Sequence, residues 1–188
     1  MKRFIVLLCV VLALAACTQK KEMDPVSQAI VAEMMKDIDQ PYDIQITDLK
    51  LLDSTTFAVE FERRIGIYDT RLDQNTARME KYMREGKKKN ASLMFEALQK
   101  DTKIYNELNA MKEMMADDTL NIAYYDYSYT YSGKVGDSRI APKQAYATVT
   151  PDGRVLTFAA DRKDIHKATG LVIPGYKELL DSFKEEEE

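Results

Sequence analysis

Residues 120–131 read Leu-Asn-Ile-Ala-Tyr-Tyr-Asp-Tyr-Ser-Tyr-Thr-Tyr, and their alternation decides the fold. Period-2 patterning marks a strand with two unlike faces. Ala123, Tyr125, Tyr127, Tyr129 and Tyr131 fall on one face, and Ile122, Tyr124, Asp126, Ser128 and Thr130 make the other, mostly polar. Gly133 to Gly136 then mark a turn, and a strand runs through Tyr146 and Val149. Pro151-Asp152-Gly153 turns the chain again, and Val155 to Ala159 return. Ala145, Ala147 and Val149 are small enough to sit beside large rings, which favours core packing of the row against a helical hairpin. Four phenol hydroxyls in a row would all need partners if buried, however. Tyr125, Tyr127, Tyr129 and Tyr131 are therefore the candidate binding surface, suited to a glycan or a protein.

Working upstream, residues 70 to 85 turn helical, with Leu72, Thr76, Met79 and Met83 in a 4-3-4 spacing and Tyr82 beside them. Gly86, three lysines and Asn90 interrupt, and a second helical stretch reaches about Ala116 through Met94, Leu98, Tyr105, Leu108, Met111 and Met115. One unbroken helix over this span would be about 70 Å long, so a helical hairpin is expected. Before it, Ile44 and Ile46 alternate with polar residues, Leu49, Leu51 and Leu52 lead to a turn at Asp53-Ser54, and Phe57, Val59 and Phe61 alternate again towards Ile65 and Ile67. These two runs are expected to be antiparallel strand neighbours. Asp24-Pro25 opens a helix with Val26, Ile30, Met34 and Ile38 four apart, and Gln40-Pro41 stops it. Pro174 begins a closing helix carrying Tyr176, Leu179, Leu180 and Phe183. The expected architecture is α+β: an antiparallel sheet of four to five strands, an inserted helical hairpin, and flanking N- and C-terminal helices in one domain over residues 25–184.

At the N-terminus, Lys2 and Arg3 precede an apolar run from Phe4 to Ala16. Thirteen residues are too few for a bilayer-spanning helix, which needs about 20. The run ends in Leu14-Ala15-Ala16-Cys17, which resembles the lipobox of bacterial lipoproteins processed by signal peptidase II. The resemblance covers about the first twenty residues. It implies a signal peptide over 1–16, acylation of Cys17, a lipidated tether over 17–24 and a membrane partner reached through the lipid anchor. Thr18 rather than Asp after the cysteine implies the outer membrane of the cell envelope. Cys9 would leave with the signal peptide, so no disulfide is expected in the mature chain.

The chain has 188 residues, 45% of them hydrophobic, with 27 basic and 31 acidic residues and a net charge of −4. Loss of Lys2 and Arg3 takes it to −6, which argues against nucleic acid as a partner. An acidic protein gains nothing electrostatically on an anionic membrane, leaving anchoring to the acyl chains. His166 is the one histidine, and it sits in a charged stretch that reads as solvated surface. No zinc, copper or haem site of the usual kind can be assembled, and no cofactor is expected. There is no Gly-x-Ser-x-Gly elbow and no phosphate-cradling glycine loop. Glu60 and Glu62, two apart on the expected strand, read with Arg63 and Arg64 as a solvated salt-bridged face, and no catalytic residue is assigned. Lys87 to Lys89 read as a solvated loop, with lipid phosphates as the alternative contact; Glu185 to Glu188 read as an acidic tail. The methionines of the helix stripes read as core gap-fillers. The function expected is a non-catalytic, lipid-anchored binding module for a protein or glycan. An envelope hydrolase using sheet carboxylates and tyrosines, or a purely structural accessory, are the alternatives.

Overall fold

The computed structural model describes residues 23–185. Cys17, the signal segment, most of the tether and the last three glutamates lie outside the described residues. The elements are α1 (Pro25–Met35), β1 (Tyr42–Thr56), α2 (Phe57–Arg84), α3 (Lys88–Met115), β2 (Ile122–Val135), β3 (Ser138–Val149), β4 (Val155–Ala159) and α4 (Tyr176–Glu185). The sheet is a four-stranded antiparallel meander in the order β1-β2-β3-β4, with the α2–α3 hairpin inserted between β1 and β2. The fold is therefore α+β, with the N-terminal helix against the sheet and the C-terminal helix against the root of the hairpin.

Several stretches differ from their sequence pattern: Asp53-Ser54 does not turn the chain but stays in β1, paired with Asp126 and Tyr125. Residues 57–67, whose alternation suggests a strand, open α2 instead. Phe57, Phe61, Ile65 and Tyr68 also satisfy helical spacing, and Phe61 and Tyr68 are buried by it. Thr56 caps the helix, its Oγ1 accepting from the Val59 N–H at 3.4 Å. The partner of β1 is consequently β2, paired from Tyr42↔Val135 to Thr56↔Ile122. At the root of the hairpin the Phe57 N–H donates to the Asn121 carbonyl at 3.1 Å, closing the insertion where it leaves the sheet. Gly133 is not in a turn; it sits in β2 at a register shift, with φ +149°. A Cβ there would lie 2.0 Å from the Asp43 carbonyl oxygen, so only glycine lets β1 approach.

The two faces of β2 take different covers. The tyrosine row packs under α1 rather than under the hairpin: Ile30 sits with Tyr129, Ala145, Ala147 and Val149. The small residues do lie opposite the rings, as Tyr129↔Ala145, Tyr127↔Ala147 and Tyr125↔Val149. The hairpin packs through its root, where Phe61, Tyr68, Ile104 and Leu108 meet Ile173, Tyr176 and Phe183. No residue from 69 to 100 is buried. Along that distal half the two helices hold each other by half-buried Leu72, Asn75, Met79 and Tyr82 against Ala91, Met94 and Leu98, while Thr76 and Met83 point outward. Each 28-residue helix is about 42 Å long, so the distal half forms an arm.

Helix α1 depends on its cap. Asp24 accepts from the Ser27 N–H at 3.0 Å and from its hydroxyl at 2.6 Å. Burial alone would push this carboxyl up, but the Ser27 hydrogen bonds outweigh it and hold it below its ordinary value. Asp24→Ala is expected to cost about 1 kcal/mol at neutral pH in urea unfolding. A lowered folded-state value stabilises above the ordinary carboxylate range and fades as pH falls through it. The difference between wild type and variant should therefore shrink in acid; a difference that grows there would contradict the capping role.

Candidate functional site

The polar face of β2 meets the root of α2 and the loop 161–175 in a buried charged centre. Tyr124, Asp126 and Ser128 are buried on that face, together with Glu60, Arg64 and Thr169. Glu60 is not part of a solvated strand face, as its sequence context suggests: it lies on α2, fully buried, while Glu62 is exposed. Helical geometry separates the two by about 200° and puts Glu60 and Arg64 one turn apart on the inner side.

Both oxygens of Glu60 are engaged. Oε1 accepts from Arg64 Nε at 2.7 Å and lies 3.0 Å from the Thr169 hydroxyl. Oε2 accepts from Arg63 Nη1 at 2.6 Å and from the Tyr124 hydroxyl at 2.7 Å. Arg63 Nη1 also donates to the Tyr124 oxygen. Burial pushes the Tyr124 phenol up, which keeps it a neutral donor. A carboxylate offers about four lone-pair sites, and four polar groups surround this one, so its position is fixed from several directions at once. Arg64 continues outward, donating from Nη2 to the His166 carbonyl at 2.7 Å and to Thr169 Oγ1 at 2.8 Å.

Through that contact the loop delivers His166 to the sheet. Its Nε2 lies 2.8 Å from Asp126 Oδ2, and its ring is 5.9 Å from that of Tyr124. The solvated role suggested by its charged neighbours is thus overturned: the side chain is 29% exposed and paired with an aspartate that is 3% exposed. Asp126 Oδ1 makes no hydrogen bond to the protein, nor do Thr148 Oγ1 and Thr157 Oγ1. The three residues are register neighbours across β2, β3 and β4, forming a buried polar row beside the imidazole. No group of three or more His, Cys, Asp or Glu able to hold a metal occurs among the described residues.

The tyrosine row divides. Tyr129 is buried, its hydroxyl 3.7 Å from Met34 Sδ, and burial pushes its phenol up. Tyr125, Tyr127 and Tyr131 are half-buried, with ring pairs Tyr125–Tyr127 at 6.4 Å and Tyr129–Tyr131 at 6.2 Å. A second surface carries no signal in the sequence. A groove of about 910 Å3 runs between the start of α1 and β1, lined by Met23, Asp24, Ser27, Gln28 and residues 43–49. Seven consecutive strand residues include both faces of the strand, so the groove follows the outer edge of β1 in the described sheet.

Compared with protein-family models, with curated proteins and with solved structures, the chain shows no significant match.

Removing Arg64 strips buried Glu60 of its best donor and the 166–169 loop of its tie. Arg64→Ala is expected to cost about 3–5 kcal/mol in denaturant unfolding. The double variant Glu60→Gln/Arg64→Met should lose less than the sum of its two singles. Additive losses, or a cost below about 1 kcal/mol for Arg64→Ala, would show that the pair does not hold this face.

Proposed function

We propose that the protein is a lipid-anchored envelope protein whose domain binds a protein or glycan partner without transforming it, and that the partner lies in the groove along β1. The observation that carries this reading is the groove itself. Its volume falls in the range of binding clefts, and it borders β1, which ends the described strand order. An extended peptide added along that edge gains main-chain hydrogen bonds, with Gln45 and Thr47 supplying further polar contacts. The register shift after Thr47, with Asp48 at φ +53°, bends the edge away from indiscriminate pairing. Supporting a non-catalytic role, both oxygens of Glu60 are engaged within the fold.

The anchor reading rests on the Leu14-Ala15-Ala16-Cys17 motif, and Met23, the first described residue, lines the groove. A partner held there would sit close to the lipidated tether. No helix among the described residues is long and apolar enough to cross a membrane.

Two measurements test these claims separately. Cys17→Ser is expected to release the protein from membranes or leave it unprocessed, read by fractionation and gel mobility; unchanged attachment and mobility would refute lipidation. A thermal-melt screen of the mature chain against extended peptides and cell-wall glycans tests the groove. A ligand at 100 times its Kd adds about 2.7 kcal/mol, which raises Tm by roughly 5–10 °C for a chain of this size. The shift should vanish in Gln45→Arg/Thr47→Arg. A shift that survives there and is lost in Tyr125→Ala would move the site to the tyrosine row.

A further inference from the structure

We infer that the tip of the α2–α3 arm is a docking surface for an anionic phospholipid bilayer. The net charge of −4 conceals a separation along the molecule. Residues 78–89, around the turn at Gly86, hold six basic and two acidic side chains, a net +4. The other 176 residues therefore carry −8. Arg84 lies 16 residues beyond Tyr68, the last buried residue of α2, a distance of about 24 Å along the helix. The Debye length at physiological ionic strength is about 8 Å, so the acidic body does not neutralise the tip. The expectation that an acidic chain gains nothing electrostatically at a membrane applies to the protein as a whole, not to this end of it.

Within the tip, Lys87 pairs with Glu85 at 2.7 Å, and Arg84 reaches Glu80 at 3.9 Å. Arg78, Lys81, Lys88 and Lys89 join no ion pair among the described residues. The fold gains nothing from this crowding. Helix α3 starts at an uncapped Lys87 with no acidic residue in its first turn, so its lysines oppose the helix dipole. Three large apolar side chains stand among these charges: Met83 is 65% exposed, Leu93 50% and Phe95 52%. Met83 is beside the turn, whereas Leu93 and Phe95 lie back along α3 towards the body, Leu93 by about 7.5 Å. Long lysine stems can bend their ammonium groups back to headgroup phosphates while Met83 beside the turn meets the acyl boundary, an arrangement an anionic bilayer accommodates, whereas a free phosphate would use only the charges.

The chain contains no tryptophan, so Met83→Trp gives a reporter confined to the arm. In the full chain bound to phosphatidylglycerol vesicles, its emission should shift to the blue and be quenched by brominated acyl chains. In phosphatidylcholine vesicles the N-terminal anchor still inserts, but the reporter should remain in water. The shift should disappear at about 0.5 M salt, where the Debye length is about 4 Å. Lys81→Glu/Lys88→Glu/Lys89→Glu in the reporter chain should weaken the response at least about tenfold. Because two of these changes relieve charge at the start of α3, Tm should hold or rise, separating lost docking from lost folding. An equal shift in neutral vesicles, no shift with phosphatidylglycerol, or a response only to lipopolysaccharide or an acidic peptide would overturn the proposal. Failure of the anchor is read separately through Cys17→Ser.

Discussion

A carboxylate placed out of water is costly unless its oxygens are satisfied, and Glu60 is satisfied from three parts of the chain at once. Arg63 and Arg64 come from its own helix, Tyr124 from β2 and Thr169 from the loop before α4. The Tyr124 contact sets how closely α2 approaches the sheet. Arg64, gripping the His166 carbonyl and the Thr169 hydroxyl, sets where the loop lies and thereby aims His166 at Asp126. The loop comes this near because residue 170 is glycine: a Cβ there would stand 2.6 Å from Arg64 Nε and 2.9 Å from the Tyr176 ring. Replacing the whole centre with apolar side chains would be tolerable on energetic grounds. Removing one member would not, and this asymmetry makes the centre a strong constraint on arrangement.

β2 connects this centre to the rest of the core. Its odd-numbered residues pack aromatic rings under α1, and its even-numbered residues carry the groups that receive α2 and the loop. A one-residue slip of register would take Tyr124 away from Glu60 and put Asp126 under α1. At the end remote from the hairpin, Gly133 lets β1 come close to β2 where a Cβ would meet the Asp43 carbonyl.

Most of the architecture was legible because it rests on local signals. Asp24-Pro25, the tyrosine alternation and Pro151-Asp152-Gly153 announce α1, β2 and the β3–β4 turn through caps, period and turn chemistry. Residues 57–61 were misleading because Phe57, Val59 and Phe61 suit a strand, while Phe57, Phe61, Ile65 and Tyr68 suit a helix. So short a window cannot arbitrate, and the Thr56 cap with tertiary burial decides. The Asp126–His166 pair was illegible for another reason: its members are 40 positions apart, and the histidine's neighbours are exposed charges. A lone acid in an aromatic strand does signal a missing partner, but nothing local names it. The β1 groove is a product of packing and has no sequence period at all.

The insertion of the hairpin between paired strands also bears on how the chain assembles. Thr56 and Ile122 pair across 66 positions, and closing a flexible loop of that length early in folding would be entropically unfavourable and slow. The α2–α3 hairpin needs only local contacts and a three-residue turn to form. Once its helices lie side by side, their roots stand together, and the Phe57–Asn121 hydrogen bond joins the chain ends that leave them. β1 and β2 then meet almost as the two arms of a short β-hairpin would. In the order of assembly, the arm serves as a splint for the sheet.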